Sequence, residues 1–358
     1  MPILEDVKEL IELGRFEEAL EKIPELSDRL ERVEAIVELI LAILKRGEPL
    51  EWIPTLLEDA EYLAESIEEP ADKAMAYSMV GYAYRAAGYV EESETCFANA
   101  LDELEEIEDP LQRGAAIGTT AYYMALAGDS KSALQMFDVA FEVITRATVD
   151  YSKKVEGLIA LAGLMEDAGD ALHSKKALPF YRTAFDIFDK LHVNQRAGGV
   201  EKKIELAETL YETGRPEIRR ALLEGRYRHA LALIEKLYTG EKRLIGKLEV
   251  ALWMKRVNNP AYKELVREVL GEGNLELSQV GVQRVAGLLT HLGRLEDALS
   301  FALRIESPER KSGALRGIAL ALAGEKRFKD AEKVANAIPT PEIRAETLRD
   351  LKTLHGSG

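Results

Sequence analysis

One cysteine, Cys96, stands in a chain of 358 residues, which excludes an intramolecular disulfide framework and any cysteine-based zinc cluster. Aromatic residues are few, at 7%, and no β-branched run of alternating polarity is present, so strands have no segment to occupy. Five Gln and six Asn stand against abundant Glu, Lys and Arg, a bias typical of heat-adapted proteins. Long apolar runs are missing too. Residues 35–44 are interrupted by Glu38 and are too short to span a bilayer. The first ten residues carry Glu5, Asp6, Lys8 and Glu9 where a signal peptide would be apolar. These absences give the expectation of a cytoplasmic protein with no membrane partner.

The signatures of catalysis are lacking as well. The sequence has no phosphate-cradling Gly-x-x-x-x-Gly-Lys-Ser/Thr loop, no dinucleotide-binding glycine fingerprint after a strand, and no His-Glu-x-x-His helix. His173, His192, His229, His291 and His355 are scattered, and none has a second histidine three or four residues away to complete a helix-borne metal pair. Cys96 precedes Phe97 on an apolar helix face and reads as a small core residue. The expectation is therefore no catalytic residue, no metal and no cofactor.

What the chain does have is helix-forming material. Hydrophobic residues make up 47% and charged residues 31%, with Ala, Leu, Glu, Lys and Arg dominant. The formal net charge of −16 is unevenly spread. Residues 1–213 hold 21 Lys/Arg and 44 Asp/Glu, whereas residues 214–358 hold 26 Lys/Arg and 19 Asp/Glu. Three readings stand open: solvated helix faces whose sign drifts, an electrostatic partner, or the acidic half of one copy meeting the basic half of another.

Internal similarity decides the fold class. Gly14, Gly47, Gly88, Gly128 and Gly169 recur at steps of 33, 41, 40 and 41 residues. Each is expected to end one amphipathic helix and precede the next. Glu69-Pro70, Asp109-Pro110 and Asp150-Tyr151 mark helix starts; proline costs nothing in a first turn, where its missing N–H would be unpaired anyway. Three units align closely. Gly81, Ala121 and Ala162 are small residues midway along a first helix, followed by Tyr84, Met124 and Met165. In the second helices Ser93-Phe97-Ala100, Ala133-Phe137-Ala140 and Ala177-Tyr181-Ala184 keep a small–large–small order. The second-helix half recurs as Gly14–Leu20, Gly225–Leu231 and Gly293–Leu299. A last copy, Arg327–Glu332, places Ala331 33 residues after Ala298.

This order resembles the tetratricopeptide repeat family over residues 73–191, although Tyr77, Ile117 and Leu158 stand where that family usually places a tryptophan. The resemblance implies an all-α, right-handed superhelical solenoid of antiparallel helix pairs. Breaks at Gly214-Arg215-Pro216, Asn258-Asn259-Pro260 and Gly271-Glu272-Gly273-Asn274, with the change in charge sign, divide the chain near residue 213. Residues 1–213 are expected to form an acidic array of ~33–41-residue repeats. Residues 214–358 are expected to form a shorter, basic sub-array stacked on it. Residues 4–13 and 341–354 are expected to cap the ends, and the terminal Gly356-Ser357-Gly358 is set aside.

By resemblance, exposed positions of each first helix choose a ligand: Met75, Ser78, Met79, Tyr82 and Arg85, then Ala115, Gly118, Thr119, Tyr122 and Leu126, then Glu156, Ile159, Gly163 and Glu166. Tyr and Met give contact area with an adaptable or polar tip, so an apolar helical or extended protein segment is the expected ligand. An alternative for Tyr82 and Tyr122 is packing within the array itself. Ser78, Tyr82, Gly118 and Tyr122 stand where some family members carry Lys, Arg and Asn to grip a peptide's terminal carboxylate, so that clamp is not expected. A second surface is basic: Arg215, Arg219, Arg220, Arg226, Arg228, Lys242, Arg243 and Lys247. It offers an adaptor role on nucleic acid as the alternative function, with Tyr227 as its one interleaved aromatic. The leading expectation is a protein-interaction scaffold binding another protein or peptide segment, with self-association as a further partner.

Overall fold

The computed structural model describes residues 2–47, 50–271 and 276–356, and every regular element among them is helical. Glu272, Gly273 and Asn274 of one expected break, and the terminal Ser357 and Gly358, lie outside the described residues. Backbone contacts divide the chain into two compact units. One comprises Met1–Leu172 with Lys176–Ile204, the other His173–Lys175 with Glu205–Gly358.

The first unit is built of alternating helices. One layer contains α1 (Pro2–Leu13), α3 (Arg29–Arg46), α5 (Pro70–Ala87), α7 (Pro110–Leu126) and α9 (Tyr151–Ala171), each packed beside the next. Between them in the chain come α2 (Phe16–Lys22), α4 (Ile53–Glu65), α6 (Val90–Glu105) and α8 (Ser130–Arg146). Each of these packs against the layer helix before it and the layer helix after it. Next in the chain come α10 (Ser174–Lys190) and α11 (Asn194–Thr209), each with residues in both units. The second unit repeats the alternation. Its layer holds α14 (Gly240–Arg256), α16 (Gln279–Leu292), α18 (Pro308–Gly324) and α20 (Pro341–Gly356). The intervening helices are α15 (Tyr262–Gly271), α17 (Leu295–Leu303) and α19 (Phe328–Asn336), preceded by α12 (Pro216–Leu223) and α13 (Tyr227–Leu237).

Small residues set the spacing of the pairs. A Cβ placed on Gly81 would stand 3.2 Å from the Phe97 ring and 3.3 Å from Cys96 Cβ, so α5 and α6 touch there almost backbone to side chain. The Ser93 hydroxyl donates to the Gly81 carbonyl at 2.7 Å, a buried bond contributing about 1 kcal/mol. Ala121 with Ala133, Phe137 and Ala140, and Ala162 with Ala177, Tyr181 and Ala184, are buried at the matching positions. Cys96 is buried in the same seam, and burial pushes its thiol up to about 12. It is a core side chain.

Turn glycines follow the recurrence with one exception. Gly88 and Gly128 take φ of +96° and +98°, the left-handed conformation that lets a helix end sharply. Gly169 does not end its helix; α9 runs on to Ala171. The reason lies opposite, where a Cβ on Gly169 would come within 2.5 Å of the Tyr181 ring. Glycine is required there for room and not for a turn. In the last copy no glycine is available, and Lys326 itself adopts φ +62° before α19.

Gly169→Ala is predicted to lower the thermal midpoint read by circular dichroism, because displacing a buried tyrosine ring costs about 1–3 kcal/mol. Gly198→Ala, at a position in α11 with nothing within 4 Å, is predicted to leave the midpoint unchanged or raise it.

Candidate functional site

The candidate site is on the layer helices of the first unit, on the side turned away from Gly81, Ala121 and Ala162. A period of 3.6 residues puts Met75, Met79 and Tyr82 on that side of α5, and Thr119, Tyr122 and Tyr123 on that side of α7. Glu34 and Glu38 hold the corresponding register of α3, and Asp167 that of α9. The strip therefore reads acidic, aromatic, acidic across four helices.

Three tyrosines form its centre. Tyr82 and Tyr123 rings lie 6.1 Å apart at 36°, bridging α5 and α7. Tyr122 and Tyr123 meet edge to face at 5.1 Å. All three are half-buried, and Tyr123 also packs against the apolar cluster built from α1 to α6. None of their hydroxyls has a hydrogen-bond partner among the described residues. Burial holds all three phenols above the ordinary tyrosine range. After burial, Asp167 adds to the shift of Tyr122, while Tyr122, Glu34 and Glu38 add to that of Tyr123.

The acidic flanks are partly compensated. Lys8 reaches Glu34 at 2.6 Å and Glu38 at 3.2 Å, so one base serves two acids. Burial, with Glu34 and Glu12 nearby, raises the Glu38 carboxyl despite Lys8. On the other flank Glu166 binds Arg196 and Lys203, each at 2.7 Å, and Lys203 also holds Asp170. Asp167 forms no ion pair among the described residues; burial and then Asp170 and Glu166 raise its carboxyl. Each flank retains excess negative charge.

The residues expected from the sequence divide into three groups. Met75, Tyr82, Thr119 and Tyr122 are partly exposed on this strip, and Arg85 is exposed near Asp129. Ser78 and Met79 are buried. The Ser78 hydroxyl bonds the Ala74 carbonyl at 2.8 Å and Thr120 Oγ1 at 3.0 Å, tying α5 to α7, so neither residue is offered to a ligand. Tyr123, Glu34, Glu38 and Asp167 were not singled out by sequence, although the 41-residue offset that places Glu34 over Met75 and Glu38 over Met79 carries the signal.

The eight basic residues do not assemble into one exposed patch. Arg219 and Lys247 are buried. Lys247 and Arg243 both pair with Glu235, Arg226 pairs with Glu224, and Arg215 lies 3.6 Å from Glu217. Arg220, Arg228 and Lys242 are exposed. Acids two residues along the chain, or on the facing helix, pair with four of the eight.

Raised phenol pKa values predict a stability that is full below about pH 10 and is lost as pH rises through the folded-state values, because the unfolded chain ionises first. In an alkaline titration followed by tyrosinate absorbance, Tyr82→Phe/Tyr122→Phe/Tyr123→Phe is predicted to remove amplitude from the late phase alone. Loss from the phase near pH 10 would contradict the burial argument.

No protein-family model and no curated protein matches the chain. Among solved structures, the crystal structure of Ton1535 from Thermococcus onnurineus NA1 matches at 45% identity with a TM-score of 0.92, covering 99% of this chain and 100% of that one. With almost half of all residues identical over the whole length of both, the chain belongs to the family of Ton1535.

Proposed function

We propose that the protein is a tetratricopeptide-like, right-handed helical-repeat scaffold that binds a segment of another protein on the tyrosine strip of its first unit. The observation that carries this reading is the cluster of Tyr82, Tyr122 and Tyr123, half-buried, with hydroxyls that no group among the described residues engages. Rigid aromatic rings with an unused polar tip supply contact area at small entropic cost, the chemistry enriched in protein interfaces. A tyrosine that served packing alone would be expected to be buried more fully, or to have its hydroxyl satisfied, as Tyr84 is by Glu61 at 2.7 Å.

The flanks refine the apolar ligand expected from sequence. Glu34 and Glu38 on one side and Asp167 on the other favour a segment that brings a Lys or Arg beside an apolar residue. A cation over a tyrosine face contributes about 0.5–2 kcal/mol, and a carboxylate at each end adds steering. Of the eight basic residues of the second half only Arg220, Arg228 and Lys242 are exposed without a described ion pair, which lends less support to a nucleic-acid role.

Selection of displayed random peptides on immobilised protein is predicted to enrich sequences with Lys or Arg next to apolar residues. Tyr82→Ala/Tyr122→Ala should weaken their binding at least tenfold, about 1.4 kcal/mol, while the helical circular dichroism is retained. Equal binding by wild type and the folded variant would discard the strip as the binding surface.

A further inference from the structure

The second unit contains a cleft of about 360 Å3 that the proposed scaffold role does not use. Its walls come from the end of α11, from α14 and from α16, and its apolar lining includes the buried Leu252 and Leu288 and the exposed Val280. Around these stand Arg256, Arg284, His291 and Gln283, with Glu208 as the acidic side chain of the wall.

The buried layer beneath explains why Arg284 is there. Glu249 is fully buried in the middle of α14. Its carboxylate accepts from Thr213 Oγ1 at 2.6 Å and from Arg284 Nη2 at 2.7 Å. Burial pushes this carboxyl up, against the pull of Arg284 and Thr213. Arg284 thus spends one end of its guanidinium on Glu249 and, at 3.4 Å, on the Thr209 carbonyl. Its Nη1 makes no hydrogen bond among the described residues and the side chain is 34% exposed, so the group's donor capacity is not exhausted.

Arg256 is exposed, and Nη1 donates to the Glu205 carbonyl at 3.2 Å, which leaves most of its donors open. Lys255 adds charge at the rim, its Nζ donating to the His291 carbonyl at 2.8 Å. The His291 imidazole itself has no hydrogen-bond partner among the described residues. It registers the local field: burial, then Arg256, Arg284 and Lys255, all hold its pKa below the ordinary value, and no carboxylate counters them.

The geometry points to an anion-binding cleft, in which Arg256, Arg284 and His291 receive an oxyanion while Val280 takes the apolar part of the same ligand. Arginine guanidiniums match carboxylate and phosphate oxygens with paired donors, and partial burial strengthens each bond over its value in water. A bound oxyanion favours the imidazolium, so it raises the pKa of His291. Carboxylate and phosphate share this chemistry, and the test separates them.

The full chain is titrated with inorganic phosphate, acetate or hexanoate at constant ionic strength, and the His291 imidazole is followed by NMR, assigned through His291→Gln. The inference predicts a saturable shift with a rise in the His291 pKa, and at least a tenfold weaker affinity in Arg256→Gln. Tighter binding of hexanoate than acetate, with phosphate weak, assigns a carboxylate on an apolar group; phosphate binding most tightly assigns a phosphate ester. Tyr82→Ala/Tyr122→Ala should bind the same anions unchanged, which keeps this result separate from that of the strip. A response that is linear in every anion, or identical in wild type and Arg256→Gln, reflects charge screening and overturns the inference.

Discussion

The structure depends on how closely each layer helix of the first unit approaches the helix that follows it. Where Gly81 meets Phe97 and Cys96, a single methyl group would intrude on the contact. Ser93 adds a hydrogen bond across the same point, to the carbonyl of the glycine itself. One helix pair cannot bury an apolar face alone, so each close contact has value only when the next pair stacks against it. The 41-residue recurrence expresses that requirement, with small side chains kept where two helices must nearly touch.

The same constraint creates the candidate site. With the small residues turned toward the second helices, the opposite side of α3, α5, α7 and α9 is left to side chains that packing does not dictate. Neighbouring layer helices are joined low on that side by Ser78 and Thr120, which covers Met79 and leaves Tyr82 and Tyr122 standing above the seam. Tyr123 then braces both rings and fixes their orientation. A rigid aromatic surface between two acidic flanks follows from the repeat, and it loses less side-chain entropy on binding than a flexible one would.

Helix pairs were legible because glycines, small residues and the acidic helix-opening positions Glu69, Asp109 and Asp150 recur at near-fixed spacing, and each has a local physical cause. Gly169 was misread as a turn because a missing side chain has two uses, a positive φ or room for a neighbour, and the linear sequence does not distinguish them. Burial of individual strip positions was not legible either. Ser78 and Tyr82 differ by about 40° around one helix, and the position of the adjacent α7 decides which is covered. Charge was the least legible property. Arg219 and Lys247 sit inside the second unit, and Glu217, Glu224 and Glu235 neutralise others, so a count of basic residues overstated the surface they form. The cleft around Arg284 had a weak signal in sequence: Glu249 inside the apolar run of α14 and Arg284 among the apolar residues of α16, 35 positions apart.

The central claim is that the tyrosine strip meets a partner. The most direct measurement is NMR of ring-labelled tyrosines in the full chain during titration with a peptide bearing one lysine beside two leucines. The account predicts saturable shifts confined to Tyr82, Tyr122 and Tyr123, with the exposed Tyr62 and Tyr151 unmoved. Shifts at Tyr62 and Tyr151 in place of the three strip tyrosines, or none at saturating peptide, would contradict it.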